Sequence, residues 1–110
     1  MNIVNEHEIK RKIPPYAKYY GEIPTDLRLR IAYELACRWL STYHSRSASM
    51  RPITLLRKLN VVISPRDPSI FIDDLKTIEL FKANGHIWKI KTIEKQRSKG
   101  LLRIHFVRVD

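Results

Sequence analysis

Apolar residues recur at helical spacing from Thr25 to Tyr43, TDLRLRIAYELACRWLSTY, more persistently than anywhere else in the chain. Leu27, Ile31, Leu35 and Trp39 form one row, with Ala32, Ala36, Leu40 and Tyr43 beside it. This predicts a helix that is apolar over most of its circumference, expected at the centre with other elements packed on several sides. Pro24 and Thr25 supply the start signal, with Thr25 as N-cap and Asp26 in the first turn, where the macrodipole favours a carboxylate. The polar stripe is narrow: Arg30, Glu34, Arg38 and Ser41, the first three at i,i+4 spacing.

Residues 1–24 read as a leader or arm, and residues 25–110 as a single domain. Three prolines and a glycine break the leader, so it predicts no long element; Ile3, Val4, Ile9 and Ile13 suit a short strand or an arm laid over the core. Residues 41–49, STYHSRSAS, read as a polar linker. Pro52 then opens a second, short helix ending near Asn60, with Ile53, Leu55, Leu56 and Leu59 on one side and Arg57 and Lys58 on the other. Val61, Val62 and Ile63 are β-branched and predict a short strand; the prolines of SPRDP, residues 64–68, predict a turn.

Residues 70–84 fit a helix capped by Asp73 and stopped at Asn84-Gly85. The alternative makes Asn84-Gly85 a type I′ turn between two strands, TIELFKA and HIWKIKTIE. The C-terminal part alternates with period two. It predicts a β-hairpin, residues 86–94 and 101–109, with Trp88, Ile90, Leu102, Ile104 and Phe106 on its core face. On the opposite face fall Lys89, Lys91, Ile93, Arg103, His105 and Val107. The fold class is therefore α+β: a small core of about three helices followed by an antiparallel hairpin. That order resembles a winged helix, in which the hairpin would be the wing. The resemblance puts the recognition helix in the acidic run 70–84, so cations of the preceding helix, Arg51, Arg57 and Lys58, would have to contribute.

Charge adds the functional dimension. Twenty-one Lys and Arg stand against 11 Asp and Glu, a net charge of +10. Residues 47–66 carry four bases and no acid, and residues 84–110 seven bases and two acids, so nine of the ten net charges lie in these two stretches. Like charges facing one another on a sheet are destabilising. A cationic row of Lys89, Lys91, Arg103 and His105, extended towards the tip by Lys95, Arg97 and Lys99, is most simply explained by a polyanion that neutralises it. The mixture of Lys10, Arg11, Lys12 and Lys18 with Tyr16, Tyr19 and Tyr20 suits either an arm that contacts phosphates and bases or a leader pinned to the globule by its tyrosines.

Candidate chemistry is otherwise sparse. The lone Cys37, inside the central helix, excludes an internal disulfide and reads as a core residue. His7, His44, His86 and His105 show no metal-ligand spacing, and the three glycines form no phosphate loop. No cofactor, metal site or catalytic motif is expected. The N-terminus has no apolar signal core, and no window approaches the roughly 18 apolar residues of a membrane span. Together these predict a cytoplasmic, non-enzymatic nucleic-acid-binding protein, regulatory or accessory to replication, transcription or mobile DNA. Its phosphate contacts would be Arg51, Arg57, Lys58, Lys89, Lys91, Lys95, Arg97, Lys99, Arg103 and His105. The alternative is a protein-binding module or inhibitor that docks its basic face on an acidic partner.

Overall fold

A computed structural model describes residues 6–96 and 101–110. The chain is α+β. In order it forms α1 (Glu6–Lys12), a 3-10 turn (Tyr20–Glu22), α2 (Thr25–Leu40), β1 (Ser47–Met50), α3 (Pro52–Arg57), α4 (Asp67–Lys76), β2 (Phe81–Ala83), β3 (His86–Gln96) and β4 (Leu101–Arg108). The four strands make one antiparallel sheet in the order β1-β4-β3-β2.

The central helix forms where the apolar rows predict it. Ile31, Ala32, Leu35, Ala36, Cys37 and Leu40 are all buried in it. Pro24, not Thr25, occupies the N-cap position, and no side chain caps the first turn. The leader is built into the core: Ile9, Tyr20 and Ile23 are at most 2% exposed. It also contributes α1, so the described residues hold four α-helices rather than three.

Two buried carboxylates of α4 fasten the leader. Asp67 accepts the backbone N–H groups of Tyr20 (3.3 Å), Gly21 (3.1 Å) and Ser64 (2.8 Å). Asp74 accepts the Tyr20 hydroxyl at 2.6 Å and a forked pair from Arg28, Nε at 2.7 Å and Nη2 at 3.2 Å. Burial, first, and the neighbouring Asp74 raise the Tyr20 hydroxyl well above the usual tyrosine range. Hydrogen bonding to Asp74 raises the Arg28 guanidinium further.

Between α2 and β2 the chain departs from the expectations in four places. Within the expected linker, β1 pairs with β4, from Ser47 opposite Val107 to Met50 opposite Ile104. SASM has little intrinsic strand preference; the free edge of β4 recruits it, and Ala48 and Met50 turn into the core. Val61–Ile63 form no strand, because the chain leaves α3 through Asn60 at φ 57° and no strand lies alongside. Helix α4 starts at Asp67 rather than at Asp73, since Pro68 falls in its first turn, where a missing N–H costs nothing. It ends at Lys76, so Asn84-Gly85 does not stop it. The pair instead turns the chain from β2 into β3, with φ 53° and 79°, and Ala83 sits opposite His86.

The hairpin forms as expected with one irregularity. Ile90 pairs with Phe106 and Thr92 with His105, which leaves Lys91 as an extra residue, a β-bulge. Beyond it the alternation is shifted by one. Ile93, expected on the open face, pairs with Ile104 and joins Trp88, Ile90, Leu102, Ile104 and Phe106 on the core face, and Lys95 follows opposite Leu102.

Candidate nucleic-acid interface

Side chains opposite one another in an antiparallel ladder share a face, so the register sorts the cations. Lys82, Lys89, Arg103 and His105 lie on the sheet face away from the core, with Ser47, Ser49, Thr92 and Glu94. Lys91 is exposed at the bulge beside them. The expected row is therefore real but interrupted by a carboxylate. Glu94 sits opposite Arg103, and its Oε2 lies 2.9 Å from His105 Nε2. Both side chains of that pair are substantially exposed, so it contributes little stability. Lys95 is corrected in position: the bulge carries it to the helix side of the hairpin. Arg97 and Lys99 lie outside the described residues.

The helix side holds an open groove of about 1020 Å³ between α3, α4 and the hairpin. Its walls are aliphatic: Ile53, Val61, Ile63, Ile72, Ile93 and Leu102. Arg57, Lys76 and Lys95 stand exposed around it with one carboxylate, Asp73. Of the acids in the run 70–84, Asp74 is buried on the leader, Asp73 is exposed on α4, and Glu79 is exposed beyond the end of the helix; Asp67, at the start of α4, is also buried.

Arg51, at the N-cap of α3, connects the two regions. It lines one small depression with Arg57 and Leu102, and another with Trp39, Ser49 and Arg103. Ser49 in turn borders a third depression with Tyr43, Lys91, Thr92 and His105. These hollows share walls with one another and with the groove. A continuous basic track results, running from Lys91 and His105 past Arg103 and Arg51 to Arg57 and Lys95. Lys58 lies beside it with Nζ 5.6 Å from the centre of the Trp39 ring, an internal cation–π contact rather than a free cation.

Trp39 and Tyr43 are the residues that hydrophobic periodicity misplaces. Both fall on the predicted apolar rows, Trp39 within α2 and Tyr43 just beyond its end at Leu40, yet both are only half-buried beside β1. Trp39 Nε1 and the Tyr43 hydroxyl donate to the Ser49 carbonyl at 3.0 and 2.8 Å, which blunts the edge of the sheet. Their position one turn apart at the helix end, next to a polar segment, is the only sequence signal for that exposure.

Other titratable groups serve structure. Burial pushes the Cys37 thiol up to about 11, which keeps it protonated and unreactive near neutral pH. His86, Ile87 and Arg108 tie down the Asp110 carboxylate; the His86 hydrogen bond is foremost in holding it down to about 2. Among the described residues no group of His, Cys, Asp and Glu could hold a metal ion, and no helix is long and apolar enough to cross a membrane. No protein-family model, curated protein or solved structure matches the chain.

Proposed function

We propose that this is a small nucleic-acid-binding protein of the cytoplasm, accessory or regulatory to replication, transcription or mobile DNA, and a binder rather than an enzyme. The observation that carries the reading is the basic track: Lys91, Arg103, Arg51, Arg57 and Lys95, with His105, in succession across four adjoining hollows, with Asp73 the one carboxylate among the lining residues and Glu94 beside the track, opposite Arg103 and 2.9 Å from His105. Each cation that meets a phosphate releases counterions, so affinity falls steeply with salt. The order of elements from α2 onward is helix, strand, helix, helix and three strands, in which the expected terminal hairpin of β3 and β4 is flanked by β1 on β4 and β2 on β3; the likeness to a wing rests on β3 and β4 alone.

The test is a salt titration of binding for wild type and for Lys89→Glu with Lys91→Glu. Both lysines are exposed on the hairpin, so the variant keeps its fold. It is expected to lose binding at moderate salt and to flatten the log–log salt slope by about two. Unchanged binding removes the hairpin from the interface. The aliphatic walls of the groove favour a second reading, a module that docks on an acidic protein. Specific capture of one protein, insensitive to nuclease, would distinguish it.

A further inference from the structure

Resting on that reading, the geometry points to a single strand, rather than a duplex, as the nucleic acid that follows the track; we propose this as the ligand class. Two observations carry it. The first is curvature. Lys91 and His105 sit at the open face of the sheet, Arg103 and Arg51 lie just past the end of β1, where β4 is left without a neighbour on that side, and Arg57 and Lys95 lie in the groove on the helix side. The track therefore wraps around a sheet edge within a molecule only 40 × 39 × 21 Å across. Duplex DNA has a persistence length of about 150 base pairs and would follow so tight a turn around one edge strand only at a substantial bending cost, whereas a single strand rotates freely at each nucleotide.

The second observation is aromatic. Trp39 and Tyr43 border the middle of the track, with ring centres 6.2 Å apart and cations on both sides. Their polar atoms are committed to Ser49, which fixes the rings while leaving each partly exposed. The Lys58 ammonium lies over the Trp39 ring as an internal contact, and Arg51 and Arg103 line the same hollow as that ring. An aromatic surface next to such cations is what a nucleotide's base and phosphate respectively require, and unpaired bases supply the π faces that a duplex keeps stacked inside. Sequence preference is weak in such a site, because every base can stack.

The experiment compares a 20-nucleotide oligo(dT), an oligo(rU) of equal length and a 20-base-pair duplex on the full chain, by fluorescence anisotropy across salt. The single strands are expected to bind at least tenfold more tightly than the duplex. They are also expected to quench Trp39 emission, since Trp88, the other tryptophan, is 1% exposed. Trp39→Leu should weaken single-strand binding about tenfold or more and leave duplex binding nearly unchanged. Because that substitution also removes a packing and hydrogen-bonding group, Arg51→Glu, at an exposed position, provides the second variant and should weaken single-strand binding without loss of fold. Duplex binding equal to or tighter than single-strand binding overturns this inference while leaving the proposed function intact. Absence of salt-dependent binding to all three probes overturns both.

Discussion

Replacing Tyr20 by phenylalanine removes one hydroxyl from the latch between leader and α4. The ring, fully buried and 5.5 Å from Phe71 in an edge-on arrangement, stays in place. Only the hydroxyl is lost, which donates to Asp74 at 2.6 Å and more weakly to the Arg28 carbonyl at 3.3 Å. A hydrogen bond to a charged acceptor contributes about 1.5–3 kcal/mol. Arg28 still neutralises the Asp74 carboxylate through two bonds, which argues for the lower part of that range, about 2 kcal/mol. For a domain of this size that corresponds to a fall in Tm of roughly 8 °C. Urea denaturation followed by tryptophan fluorescence should show a lower midpoint with an unchanged m-value.

The pH dependence supplies an independent check. The Tyr20 hydroxyl is raised in the folded protein above its ordinary value of 10.0. Its contribution is therefore fully present below pH 10 and declines as pH rises, because the unfolded chain releases that proton while the folded one keeps it. By pH 11 the wild type should have lost about 1.4 kcal/mol from this source, and the gap to Tyr20→Phe should have closed to under about 1 kcal/mol. A variant within about 0.5 kcal/mol of wild type at pH 7, or a gap that stays constant to pH 11, refutes the reasoning.

Further expectations concern the hairpins and the C-terminus. Gly85→Ala should cost about 1–2 kcal/mol from backbone conformation alone, since φ is 79° and nothing lies within 4 Å of the added methyl; a chemical denaturation midpoint measures it. Glu94→Gln, which removes the carboxylate between Arg103 and His105, should tighten nucleic-acid binding and steepen its salt slope, read in the same anisotropy titration. Asp110→Asn should abolish a stability increment that in the wild type is present above about pH 4 and lost as pH falls towards 2. That follows from a carboxyl held down to about 2 from 3.8, and the pH dependence of the urea midpoint reveals it.

What the sequence discloses here depends on whether a local pattern decides the outcome. The central helix and the C-terminal hairpin are legible because their apolar periods are long and regular, and the core face of the hairpin is correct for Trp88, Ile90, Leu102, Ile104 and Phe106; beyond the bulge Thr92 and Ile93 exchange the faces that strict alternation gives them. Strand β1 is illegible because SASM is recruited by a neighbour more than 50 residues away. Asn84-Gly85 suits either a helix stop or a hairpin turn, and only the pairing of Phe81 with Trp88 decides between them. Tyr20 is indistinguishable from exposed Tyr16 in a list of leader tyrosines, since its burial depends on carboxylates 47 and 54 residues further along. The candidate interface divides in the same way. The identity of the cations follows from counting charge. That Arg51 joins two groups of them, and that Trp39 and Tyr43 stand between, is information carried by tertiary packing.

The supernumerary Lys91 makes β3 act like a reading frame with one spare letter. Deleting that single residue would remove the bulge and leave every pairing beyond it as it stands, with Thr92 and Glu94 still on the open face and Ile93 still on the helix side. Homologous chains should therefore tolerate loss of one residue at this point, whereas one residue gained or lost elsewhere in the paired ribbon would exchange the two faces beyond it.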